Sequence, residues 1–238
     1  MRAMILAAGL GSRMRPLTEH CPKPLLKVAG KALIDFHLER LESLRIERVA
    51  INTHWLSHLI VEHIDQNWRQ RLNIDIYQEA PLLETAGGIV NALSSLQDND
   101  TPFLLINGDV YFEEELGQWL AQVQQQDCDA PAHLLLCENP AHNPNGDFDF
   151  DSKHSQTCGS LSTKTEDSGR AMTYSGIGLF KPSLFENMTP GPAPLGPILK
   201  QLAEEGRLHG QKLNRFWLDV GTPERLAQLE QRLSTKPA

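Results

Sequence analysis

A chain of 238 residues with 40% hydrophobic side chains is long enough to bury one large core, and its formal charge of −8 excludes general nucleic-acid binding, which needs a basic face over many phosphates. No apolar run approaches the ~20 residues that cross a bilayer, and the first residues read as a strand rather than a secretion signal, so no membrane partner is expected and the cytoplasm is the expected compartment. Cys21, Cys128, Cys137 and Cys158 show no C-x-x-C spacing, which predicts scattered reduced thiols rather than a zinc site or a disulfide framework.

The apolar run at 4–7 predicts a short buried strand. It leads into "AGLGSRMRPLTEHCPKPL", a loop with Gly9 and Gly11, cations at Arg13, Arg15 and Lys23, and almost no acid. Glycine gives such a loop φ freedom and lets a ligand approach the backbone, whose N–H groups and neighbouring cations suit a phosphate. A dinucleotide fingerprint starts the same way, but its third glycine position holds Met14 and Pro16 interrupts the helix that should follow. No Walker G-x-x-x-x-G-K-[ST] occurs in the chain.

Further along, "VAIN" precedes "HWLSHLIVEHID", "NIDIYQE" precedes "TAGGIVNALSSL", and "FLLING" precedes "EEELGQWLAQVQQQ". This alternation predicts βαβ units: an α/β fold with a mostly parallel sheet, helices on both faces, and one domain over 1–238. Ligands in such sheets bind beyond the carboxyl ends of the strands, where Gly9, Gly11, Gly108 and Asp109 are expected. His54 and His58 have the i,i+4 spacing of a metal pair, but no glutamate accompanies them and ordinary surface histidines are expected.

After "HLLLCENP", residues 139–173 turn polar and predict a loop-rich insertion, for which a hairpin over the cleft is one form. The Ser-, Thr-, Asp- and Gly-rich stretch 151–169 lacks apolar periodicity and is expected to be locally mobile and to add little to the core. Regular structure resumes with "MTYSGIGLF", an amphipathic "LGPILKQLAEEG", the strand-like "FWLDV", and the helical "PERLAQLEQRL", with Pro223 in the first turn. Asp109 and Asp219 end apolar strands. Taken singly, each has an equally simple reading as an N-cap or a turn residue. Together they can hold a Mg²⁺, which takes oxygen ligands and leaves positions for water and phosphate. With the cationic loop, this describes a site where a triphosphate is neutralised while its α-phosphorus is attacked. No G-x-S-x-G elbow or Cys-His pairing is present, so the nucleophile is expected on the substrate.

The segment "LAAGLGSRMRPLTEHCPKPLLKVAGKALI" resembles the signature of the sugar nucleotidyltransferases, G-x-G-[ST]-R-x-x-P-L-T followed by K-P, and the resemblance continues through "LETAGGI", "NGDV", "NPNGDF", "YSGIGLF" and "WLDVGTPERL". It implies the Rossmann-like nucleotide-diphospho-sugar transferase fold, and a reaction in which a sugar 1-phosphate attacks a nucleoside triphosphate and pyrophosphate leaves. It implies catalytic roles for Arg13 and Lys23. For nucleotide binding it implies Gly9, Gly11, Ser12, Arg13, Lys23, Gly87, Gly88, Asn107 and Gly108, the glycine pair through a backbone that approaches the base. The resemblance assigns Gly146, Asp147 and Tyr174 to the sugar, and Asp109 and Asp219 to Mg²⁺.

Within the family, the short length, "NPNGDF" and "DVGTPERL" are most similar to the branch that couples UTP to N-acetylmuramic acid 1-phosphate in bacterial cell-wall recycling. GTP with mannose 1-phosphate, or dTTP or UTP with glucose 1-phosphate, are the alternative pairs, since base choice rests on a few hydrogen bonds. A remote alternative is a nucleotide sensor without catalysis, against which Arg13, Lys23, Asp109 and Asp219 all stand. The C-terminal repeat domain of larger family members, and the second activity it brings, are not expected. A monomer or small homo-oligomer is.

Overall fold

The computed structural model of the chain describes residues 1–125, 130–151, 159–165 and 169–235. Strand β1 (Arg2–Leu6) is followed by the glycine loop and a small hairpin of β2 (Lys27–Val28) and β3 (Lys31–Ala32). Helix α1 (Leu33–Ser43) then leads to β4 (Arg48–Thr53), α2 (Ser57–Asn67) and β5 (Ile74–Gln78). Next come α3 (Glu84–Asn91), α4 (Leu93–Leu96), β6 (Phe103–Asn107), β7 (Val110–Phe112) and α5 (Leu116–Gln125). The second half holds β8 (Ala132–Cys137), β9 (Phe148–Asp151), β10 (Gly159–Thr163), β11 (Ala171–Phe180), α6 (Gly196–Glu204), β12 (Leu208–Lys212), β13 (Trp217–Asp219) and α7 (Pro223–Ser234).

Among the described residues nine strands form one sheet in the order β5-β4-β1-β6-β11-β8-β12-β10-β9. From β5 to β6 all neighbours are parallel, because helical crossovers return each strand in the same direction. The expected mostly parallel sheet describes that half only. Beyond β6 the sheet is mixed: β11 runs antiparallel to both β6 and β8, β12 is parallel to β8, and β10 and β9 form an antiparallel hairpin. The strand-like "FWLDV" also departs from expectation. Its core, β13, lies outside the main sheet and pairs with β7 as a two-stranded ribbon.

Alternation along the strands sends side chains to two faces, and each face is covered by helices. Ile5, Ile51 and Ile106 pack with Leu38 of α1, Ile64 of α2 and Trp119 of α5. Met4, Ala50 and Leu105 pack with Ile89 of α3, Leu96 of α4 and Leu202 of α6. Full burial of such side chains contributes about 1.5–3 kcal/mol each, so the sheet is a stiff platform for the loops at its edge. A third cluster seats Leu229 of α7 on Met14, Val28, Tyr111 and Val220. Helix α7 starts as its sequence predicts: Pro223 occupies the first turn and the Thr222 side chain accepts the Arg225 N–H.

The insertion does contain a hairpin, β9–β10, and its stretch 151–169, expected to add little to the core, gives it Leu161 among the described residues. Phe148 and Leu161 are buried in the second cluster, because β10 alternates inward Gly159 and Leu161 with exposed Ser160 and Ser162. Of the stretch 151–169, expected to be mobile, residues 152–158 and 166–168 lie outside the described residues, as do Cys128 and Cys158. Cys21 and Cys137 are free thiols. Among the described residues no helix is long and apolar enough to cross a membrane.

Candidate active site

The carboxyl ends of β1, β4 and β6 open into a cavity of about 240 Å³. Gly9, Lys23, Asn52, Thr85, Gly108 and Asp109 stand in its wall. After β1 the chain turns at Gly11, whose φ of 62° requires the left-handed region. The Thr18 hydroxyl donates to the Gly11 carbonyl at 2.8 Å, and Ser12 and Arg13 project outward on one turn of 3₁₀ helix. Behind the cavity, buried Asn52 accepts the Ala7 N–H at 2.8 Å and donates to Glu79 at 2.7 Å, while Glu79 accepts the Leu83 N–H at 2.8 Å. This chain of buried, satisfied polar groups fixes the approach to α3 against β1 and β4.

Lys23 lies between Pro22 and Pro24 with its side chain only 10% exposed, and its Nζ donates to Asp109 Oδ2 at 2.6 Å. Asp109 itself follows β6 in a tight turn anchored by the Gly108 N–H on the Leu6 carbonyl, 2.8 Å. The backbones of the two acids are joined through the β7–β13 ribbon rather than as neighbouring strand ends of the main sheet: Asp219 opposes Val110, and the Val220 N–H donates to the Asp109 carbonyl at 2.8 Å. Arg225 of α7 donates to Asp219 Oδ2 at 2.7 Å, with His142 at 3.4 Å from the same oxygen. Asp219 Oδ1 is buried without a protein partner. An added Cβ at Gly221 would come 2.6 Å from the Arg225 guanidinium, 3.0 Å from Asp219 Oδ1 and 3.2 Å from the Arg13 guanidinium, so Arg13 reaches the same turn. A buried carboxylate oxygen without a donor fits a cation. No group of three or more His, Cys, Asp or Glu that could hold a metal occurs among the described residues. Two carboxylates do suit a Mg²⁺ that draws its other oxygens from water and phosphate.

A second cavity, of about 840 Å³, shares Thr85 and Asn107 with the first. Its walls come from the β9–β10 hairpin, β11 and α6, and include Gly146, Asp147, Lys164, Tyr174 and Lys200. Asp147 is held by the Tyr174 N–H at 2.8 Å and by Asn143 at 3.0 Å, and Lys164 donates to the Gly146 carbonyl at 3.2 Å. The Tyr174 hydroxyl is buried without a protein partner, and burial pushes its pKa upward, keeping it a neutral donor.

The structure thus brings Gly9, Lys23, Asn107, Gly108 and Asp109 to one cavity and Gly146, Asp147 and Tyr174 to its neighbour. Gly87 and Gly88 are placed differently. They are buried inside α3, where an added Cβ at Gly88 would stand 2.8 Å from both Asn52 Nδ2 and Glu79 Oε1, and one at Gly87 would collide with the Gly191 carbonyl. The room left by their missing side chains is filled by protein, and Leu82, Glu84 and Thr85 line the cavity instead. His54 precedes α2, with Nδ1 2.8 Å from the Glu79 carbonyl, so the helical metal-pair geometry does not arise. Sequence reasoning missed Asn52, Lys164, Lys200 and Arg225. Asn52 carried a usable signal, as the last polar residue of "VAIN" at a strand's carboxyl end.

The nucleotidyl transferase family model matches residues 2–236. The chain is 41% identical over 234 residues to the N-acetylmuramate alpha-1-phosphate uridylyltransferase of Neisseria meningitidis serogroup B, covering 97% of each chain. It is 33% identical to the enzyme of the same name from Caulobacter vibrioides, covering 98% of this chain and 96% of that one. Among solved structures it is similar in fold to a UDP-glucose pyrophosphorylase complexed with UDP-glucose, TM-score 0.78 at 18% identity, covering 99% of each chain. HddC from Yersinia pseudotuberculosis complexed with GMP-PN matches with a TM-score of 0.75 at 19% identity, covering 98% of this chain and 99% of that one.

Proposed function

The chain belongs to the nucleotidyl transferase family, and from that premise we propose that it joins UTP to N-acetylmuramic acid 1-phosphate, releasing pyrophosphate. The observation that carries this reading is the adjacency of the two cavities, which share Thr85 and Asn107 in their walls, with Lys23 and Asp109 in the wall of the smaller one. In this reading the smaller cavity takes the nucleotide, with Gly9, Gly11, Ser12 and Arg13 at the triphosphate, and the larger takes the sugar against Gly146, Asp147 and Tyr174. Gly87 and Gly88 act at one remove, by letting α3 close on Asn52 and Glu79.

Asp109 and Asp219 would hold Mg²⁺, which when bound supplies charge neutralisation at the phosphate oxygens. Arg225 orients Asp219 through Oδ2, leaving Oδ1 without a protein donor. Lys23, already paired with Asp109, offers a nearly buried cation beside the transferring phosphate, where stabilisation of developing charge matters most. Lys164 offers a second cation in the sugar cavity. A phosphate monoester is largely dianionic near neutral pH, with a second pKa of ~6, so the sugar phosphate attacks the α-phosphorus directly once held in line. Cys21, the thiol beside the loop, is a poor rival nucleophile: burial raises its pKa. Inversion at a chiral α-phosphorus is the expected signature.

The test is pyrophosphate release over a grid of nucleoside triphosphates and sugar 1-phosphates with Mg²⁺. The highest kcat/KM is expected for UTP with N-acetylmuramic acid 1-phosphate. A higher value for GTP with mannose 1-phosphate would replace the substrate pair, and no release with any pair would sink the reading.

A further inference from the structure

N-acetylmuramic acid 1-phosphate differs from the corresponding neutral amino sugar by a lactyl ether that carries a carboxylate. Resting on the proposed function, the question is what in the larger cavity meets that second anion. Among the described residues, the charged side chains of its wall are Asp147, Lys164, Lys200 and Glu204. Asp147 and Glu204 repel a carboxylate. Asp147 is moreover fixed in place by the Tyr174 N–H and Asn143, so it cannot turn away at no cost. Lys164 is engaged with the Gly146 carbonyl across the hairpin.

We infer that Lys200 reads the lactyl carboxylate and so sets the preference for an acidic sugar over a neutral one. Lys200 stands on α6 one turn before Glu204, and the pair is loose: 4.0 Å apart, with side chains 68% and 56% exposed. Exposed i,i+4 pairs of this kind are weak, so Lys200 exchanges Glu204 for an incoming carboxylate with little loss. When a sugar covers the wall and displaces water, the same charge interacts more strongly. The helix adds to this. Leu195, Gly196 and Leu199 of its first turns line the cavity, no side chain caps its N-terminus, and its positive dipole end therefore lies on the same wall as Lys200.

The experiment compares N-acetylmuramic acid 1-phosphate with its lactyl carboxamide, which keeps the shape and removes the charge, in wild type, Lys200→Gln, Lys200→Glu and Lys200→Arg. The readout is the ratio of kcat/KM for acid over amide, with competitive inhibition constants where the amide is not turned over. Wild type is expected to favour the acid, Lys200→Gln to lose about tenfold of that ratio, chiefly through KM, Lys200→Glu to lose more, and Lys200→Arg to restore most of it. Equal losses on acid and amide, an unchanged ratio in Lys200→Glu, or no preference in wild type would each overturn the assignment while leaving the proposed function intact. If wild type turns over neither sugar with UTP but accepts another pair, the functional reading fails and the assignment falls with it.

Discussion

The two cavities are built by different means from the same sheet. The smaller cavity, proposed for the nucleotide, lies on the parallel half, where β1, β4 and β6 stop abruptly, Asn52 is bonded to Glu79 and Lys23 to Asp109. The larger cavity, proposed for the sugar, lies on the mixed half, walled by a hairpin and a helix whose exposed cations make loose contacts. Rigid placement suits a step that depends on aligning phosphates, and replaceable walls suit the choice of sugar. Substitutions at the first end should therefore change rate, and those at the second should change selectivity.

The largest expected effect tests the rigid end. Asp109→Asn and Asp219→Asn should each lower kcat by about a thousandfold at saturating Mg²⁺ with an unchanged circular dichroism spectrum, since charge is removed with little change of shape. Retention of activity within tenfold would remove that residue from the metal site. Next, Lys23→Ala should lower kcat by about a hundredfold while the KM for nucleotide moves less. A rise in KM alone would make Lys23 a binding group and blur the contrast between the ends.

At the other end, Lys164→Ala should raise the KM for sugar phosphate about tenfold and leave nucleotide affinity, measured by calorimetry, near wild type. An equal loss of nucleotide affinity would show that the two cavities do not divide the substrates. Gly88→Ala discriminates packing from ligand contact. With Cβ 2.8 Å from Asn52 and Glu79, it should cost about 1–3 kcal/mol in urea unfolding, whereas a glycine needed only for a base would leave stability unchanged and raise the KM for nucleotide.

The smallest effect concerns acid. His37, stacked on Phe112 behind the nucleotide end, has its pKa pushed down to about 3 by burial and by the nearby Arg40, and burial pushes His133 of β8 down to about 4. The unfolded chain protonates both near ~6.5 and so binds more protons than the folded one below that pH. Stability should be full above about 6.5 and fall as pH drops toward 4. His133→Leu should flatten part of that fall, read from urea midpoints across the range. A flat wild-type profile would mean that the folded chain protonates both histidines as readily as the unfolded one, so that neither pKa is depressed.

Much of the nucleotide end was legible because its signals are local. A glycine-rich loop after an apolar run, and Gly108-Asp109 after "LLIN", place themselves at a strand's carboxyl edge wherever that strand goes. The β13 partnership was not legible, since three strand residues carry no trace of whether they join the main sheet or β7, 107 residues away at the Trp217 to Val110 limits of the ribbon. The glycine pair is ambiguous for a related reason. A missing side chain announces a close approach but not by what, and at Gly87 and Gly88 the approaching atoms belong to the protein. Leu161 stayed hidden because a single inward residue between two serines has too short a period to register. Lys164 and Lys200 look like any exposed lysine until the hairpin and α6 are set face to face.

One contact links the two ends. The Ala86 and Gly87 N–H groups donate to the Ala193 carbonyl at 2.9 and 3.1 Å, and the Ala193 N–H returns to the Leu83 carbonyl at 3.0 Å. This clasp fastens the helix bordering the nucleotide to the strand of chain that leads into α6. Gly87 must remain bare for it to close. In evolutionary terms the sugar wall is then not a free module: a graft of residues 191–200 from a relative with another sugar preference has to bring residues 83–88 along, or the clasp between donor and host is left mismatched.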